Sequence, residues 1–109
     1  MTREEVKTMC RKMEIPFDED HPDHITEEKL QSLAPPFMEY FLVDHPIHAD
    51  GIRYLDIKDL TIRVYSDTEV SEAEENIQDV LESEELRWSR SSEYIEELLL
   101  WAIIYKTEV

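Results

Sequence analysis

One glycine in 109 residues is the most limiting feature of this sequence. Phosphate-cradling loops of the Walker and dinucleotide types need several close backbone approaches, and therefore several glycines. A nucleotide enzyme is thus not expected. There is also one cysteine, Cys10, so no disulfide can form within the chain. Positive charge is scarce, with 11 Lys and Arg against 27 Asp and Glu, a formal net charge of -16. That balance repels nucleic acid and phospholipid, and no basic patch interleaved with aromatics offsets it. No run reaches the roughly 18 apolar residues of a membrane span. The N-terminal stretch is acidic and amphipathic, unlike the apolar core of a signal peptide, so a soluble, non-secreted protein is expected.

Apolar residues nevertheless make up 41% of the chain, with two tryptophans and five tyrosines, enough to argue against disorder. The length suits one domain with a single core.

The stretch from Tyr54 to Leu86 is the most patterned. Leu60, Ile62 and Val64 alternate with Thr61, Arg63 and Tyr65, the period of a half-buried strand. Ser71 then stands three residues before Glu74, the spacing of a capping box. Ala73, Ile77, Val80 and Leu81 follow as one apolar helical stripe, with Glu72, Glu75, Asp79 and Glu82 on the far side. Nine acids and no Lys or Arg lie between Asp67 and Glu85. A solvated helix face is the plain reading, and a surface that repels or imitates nucleic-acid phosphate is the sharper one.

Thr2 and Glu5 also have capping-box spacing, and Val6, Met9, Cys10 and Met13 form the stripe of a short helix ending before Pro16. Cys10 lies on that stripe, as a core thiol and not a nucleophile. From Asp18 to Ala34 the composition turns polar. A surface excursion is expected there, with two helical turns after Thr26 and only Ile25, Leu30 and Leu33 to offer an apolar stripe. Pro35 and Pro36 end any helix, and Phe37 to Val43 reads as a second strand. Asp44 to Gly51, with Pro46 and the only glycine, predicts a long loop before the chain re-enters the sheet near Ile52. Leu98 to Tyr105 is apolar at nearly every position, and periodicity leaves it open between a buried helix, slightly favoured, and a strand covered on both faces.

Two His-x-x-His pairs, His21 with His24 and His45 with His48, have acidic neighbours that could assist a divalent metal. Each contains a proline, neither lies on a predicted helix, and no thiolate joins them. Solvated loop histidines are the expectation, with no metal and no cofactor. Carboxylates are too abundant for an acid/base dyad to be singled out, and no enzymatic activity is expected.

The ordered string Pro35-Pro36-Phe37-x-x-Tyr40, Ala49-Asp50-Gly51-x-x-Tyr54, Val64-Tyr65-Ser66, Glu74-Glu75-x-Ile77, Leu81, Tyr94-Ile95-Glu96 and Tyr105 resembles a family of small siphophage and prophage proteins. These are encoded among the head-tail joining genes and are read as tail-completion or tail-terminator proteins. Order and spacing carry the resemblance, which runs from Pro35 to the C-terminus. At the start of the acidic helix the family commonly has Asp-Pro, where this chain has Val70-Ser71.

The resemblance implies an α+β fold with an N-terminal helix, an antiparallel sheet of about four strands and one long helix packed across it. It turns the last segment into a strand, Leu98 to Lys106, paired with Trp88 to Ile95. It also implies a ring, commonly hexameric, that meets tail-tube and head-completion proteins, first in the host cytoplasm and then in the virion. A genome channel lined by such a ring would favour acidic walls, for which Asp44 and Asp50 in the loop, slightly favoured, or Glu72, Glu75, Asp79 and Glu82 on the helix, are the candidates. A different class also accounts for the charge, an acidic inhibitor or immunity-type protein that mimics DNA and blocks a nucleic-acid-binding enzyme.

Overall fold

The computed structural model describes residues 1–23, 34–49 and 52–109. The protein is α+β. Helix α1 (Arg3–Arg11) precedes strands β1 (Phe37–Ala49) and β2 (Ile52–Ser66), helix α2 (Ala73–Ser83) and strands β3 (Trp88–Ile95) and β4 (Leu100–Glu108). The four strands form one antiparallel sheet in the order β1-β2-β4-β3, so the last strand lies inside the sheet and β1 and β3 are its edges.

Helix α1 starts as its sequence dictates. Thr2 accepts from the Glu5 amide and Glu5 accepts from the Thr2 amide, a reciprocal capping box. At α2 only half of the expected box forms: Glu74 Oε2 accepts from the Ser71 amide, while Ser71 Oγ accepts from the Ala73 amide, the Glu74 amide goes to the Ser71 carbonyl, and Glu72 stands at the N-cap without a side-chain bond. The scarcity of glycine shows at the reversals. Glu14, Glu85 and Leu99 hold positive φ of 55 to 58°, where glycine would sit free of steric cost. Glu85 closes α2, and the Leu86 amide reaches back to the Leu81 carbonyl at 3.0 Å.

One face of the sheet carries the main core. Val6, Met9, Cys10 and Met13 from α1 and Ile77, Val80 and Leu81 from α2 pack on Met38, Tyr40, Leu60, Ile62, Val64, Ile103 and Tyr105. The two stripes read from the sequence are thus both core faces. The opposite face holds a second, smaller cluster, Phe37, Tyr65 and Ala102 with Ile95 and Leu100 beside it, where a single core was expected. Its strands alternate in side, so Tyr65 and Ala102 necessarily turn away from the residues that meet the helices.

Two expectations change. Leu100–Glu108 is a strand, paired on both sides and forming with Trp88–Ile95 the hairpin that the resemblance implies, and only the helix that periodicity slightly favoured for this segment is lost. An inner strand is covered on both faces and so loses the alternation that would identify it. The long loop expected from Asp44 to Gly51 is not there either, since β1 continues to Ala49 and β2 begins at Ile52. Pro46 is tolerated because β1 is an edge strand with one side free of ladder bonds, and the register shifts between Ile47 and His48. The two helical turns expected after Thr26 lie outside the described residues.

The extended β1 and β2 outrun the sheet. β4 pairs with β2 only from Asp59 to Ser66, and reciprocal backbone bonds between Lys58 and Val109 close that ladder. Beyond it, His45 to Ala49 and Ile52 to Ile57 pair only with each other among the described residues, as a two-stranded arm. The molecule measures 49 × 27 × 24 Å.

Candidate functional surface

The acidic helix face forms as expected. Glu72, Glu75, Asp79 and Glu82 are all exposed, on the side of α2 opposite Ile77 and Leu81. Asp44 does not join them. It lies within β1 and faces Arg3 of α1 at 3.8 Å, with both side chains more than half exposed, so the contact adds little stability. Asp50 lies outside the described residues, as does His24. The side chains of His45 and His48 are likewise outside them. The helix row and Asp44 therefore stand as separate features, and Asp44 is not a loop-tip residue.

The strongest electrostatics lie beneath the acidic helix, at Glu74, which sequence analysis placed only as a capping partner. Its side chain is buried, and it accepts from Tyr105 Oη at 2.6 Å, Arg90 Nε at 2.5 Å, Arg90 Nη2 at 3.3 Å and the Ser71 amide at 3.0 Å. Burial alone would raise its carboxyl, but the hydrogen bonds from Arg90, Tyr105 and Ser71 outweigh burial and hold it below the usual carboxylate range. Tyr105 shifts upward, by burial first and then by the adjacent carboxylate. Gln78 donates to the same hydroxyl at 2.9 Å. The network ties α2 to β3 and β4, and no local pattern could reveal it, because Glu74 and Tyr105 are 31 residues apart.

A second such group lies on the opposite face. Glu39 accepts from Tyr65 Oη at 2.7 Å and from Arg63 Nη1 at 3.3 Å, and the Arg63 guanidinium lies 5.4 Å from the centre of the Phe41 ring. Arg63 Nε is buried without a hydrogen-bond partner among the described residues. An acid inside an otherwise apolar run was the sequence signal for it, legible only once the register places Glu39 opposite Arg63.

Cys10 is fully buried, and burial pushes its thiol up to about 12. It is inert as a nucleophile in the folded state. A disulfide reagent is expected to label it only as the protein unfolds, with a urea midpoint equal to that seen by circular dichroism. Labelling well below that midpoint would reveal an open niche at α1.

Among the described residues no group of three or more His, Cys, Asp or Glu is arranged to hold a metal ion, and no helix is long and apolar enough to cross a membrane. A depression of about 850 Å³ opens at the sheet end between Arg87, Trp88, Lys106 and Asp59, with charges of both signs around it. Comparison with protein-family models, with curated proteins and with solved structures returns no match for this chain.

Proposed function

We propose that this protein is a phage assembly component that completes or terminates the tail tube and joins it to the head, acting in a ring of its own copies. The observation that carries the reading is the two-stranded arm. A hairpin of two strands is marginal in water on its own, and three strands or a packed helix are normally needed to hold it. Its sequence contains Ile47, Ile52, Tyr54, Leu55 and Ile57, apolar residues for which the described part of this chain supplies no third strand. An arm of that kind gains its stability in an assembly, by lying against a neighbouring copy or a tail protein. The resemblance in residue order supports the same reading, and two of its residues, Glu74 and Tyr105, meet at the junction of α2 with the sheet.

Within such a ring the carboxylate row of α2 serves passage of the genome. Basic walls would hold DNA through release of its counterions, whereas acidic walls keep the duplex sliding. The test is the double variant Glu75→Lys with Asp79→Lys, assembled into particles. Normal particle formation with impaired genome delivery is the expected outcome. Normal delivery would make the charge a solubility device, and absence of the protein from particles would overturn the assembly reading. Inhibition of a DNA-binding enzyme by the parent protein, lost in the same variant, would move the assignment to a DNA mimic.

A further inference from the structure

The two edges of the sheet are finished differently. On β1 the outward amides of Met38 and Tyr40 donate to the carbonyls of Pro16 and Pro22, both at 2.8 Å, so a separate segment covers that edge. Farther along, Pro46 and the irregularity at Ile47 and His48 interrupt it. These are the usual devices that stop an edge from recruiting another strand. Among the described residues β3 has none of these three. Its eight residues contain no proline or bulge, and among the described residues only β4 pairs with its backbone.

The surroundings of β3 specify charge as well as shape. Between Glu84 and Glu97 there are five glutamates and two arginines, and one of those arginines, Arg90, is already taken by Glu74 and the Glu69 carbonyl. Glu69 also reaches Ser92 at 3.4 Å, which sets a further carboxylate beside the edge. On the helix side, a depression of about 330 Å³ lies between β3 and the start of α2, bordered by Val70, Glu72, Glu75 and Arg90. Glu72 and Glu75 are exposed there, and Val70 is 74% exposed. A long basic side chain fits that chemistry, its alkyl stem on Val70 and its head between the two carboxylates. Tyr94, set edge-to-face against Trp101 with ring centres 5.4 Å apart and 47% exposed, gives the same edge an apolar anchor toward the hairpin end.

We infer that the outer edge of β3 is a docking edge for an extended, lysine- or arginine-bearing segment of a partner protein, which adds as a fifth strand and places a basic side chain beside Glu72 and Glu75. Main-chain bonds supply the affinity in this mode and side chains on alternate positions supply the selection. A second copy of this chain is disfavoured as occupant of this edge, because pairing two β3 edges would set the same acidic rim of Glu69, Glu72 and Glu75 against itself. The inference is independent of the particle reading, since the binding is tested with the isolated protein.

The probe is a short capped peptide alternating lysine with valine, compared with its counterpart N-methylated at every second amide. The plain peptide is expected to bind and to slow amide exchange along β3. The N-methylated form should bind at least about tenfold more weakly, the loss of one or two net hydrogen bonds. Glu72→Lys with Glu75→Lys should weaken the plain peptide by a similar factor while leaving the circular dichroism unchanged, as both side chains are exposed. Equal binding of the two peptides would show mere charge adhesion and overturn the inference. So would exchange protection elsewhere than β3, no binding at millimolar peptide, or a self-paired dimer with β3 protected.

Discussion

Ile77→Asp is expected to unfold the protein or drive it to aggregate, whereas Glu75→Ala, two positions earlier, is expected to change stability by no more than about 0.5 kcal/mol. Ile77 has no exposed surface and sits where α2 meets the sheet. Removing its side chain from a packed core costs about 2–5 kcal/mol, and a carboxylate buried there without a partner costs several kcal/mol more. Small domains have only about 5–15 kcal/mol in total, and self-repulsion at a net charge of -16 draws on the same margin. Thermal melting followed by circular dichroism checks both variants. Equal midpoints for Ile77→Asp and the parent would mean that the buried face of α2 is a different one.

Glu74→Gln is expected to destabilise by about 1.5–3 kcal/mol at neutral pH, the range for hydrogen bonds to a charged group, and to change the pH dependence of what remains. Glu74 holds its carboxyl below the ordinary value of 4.5 in the folded protein. A carboxyl lowered on folding contributes stability above its unfolded value and loses that contribution as the pH falls through the folded one. The gap between parent and variant should therefore be constant near neutrality and should shrink below about pH 4.5. The parent profile alone would mislead, since protonating the other carboxylates also relieves self-repulsion. Urea unfolding of both proteins across a pH series isolates the one group. A gap that stays constant into acid would show that Glu74 contributes by shape and not by charge. Tyr105→Phe should reproduce part of the loss, because Tyr105 is one of the donors to that carboxylate.

Much of the fold is legible from local rules. The capping box of α1, the apolar stripes of α1 and α2, and the alternation in β2 depend only on groups a few residues apart, so periodicity and spacing determine them. The exposed row Glu72, Glu75, Asp79 and Glu82 follows from the same geometry, since the face opposite a buried stripe is solvated.

What local rules could not supply is whatever depends on neighbours distant in sequence. The strand state of Leu100–Glu108 comes from its place between β2 and β3, which covers both faces and erases alternation. Asp44 to Ala49 looked like loop because of Pro46, and it is strand because β1 is an edge, a property of sheet order. Glu74 shows the division most sharply. Its spacing from Ser71 marks it as a cap, yet its largest interactions come from Arg90 and Tyr105, 16 and 31 residues away. Only chain closure brings those donors onto one carboxylate, and only sheet order leaves β3 as an edge with no second strand beside it among the described residues.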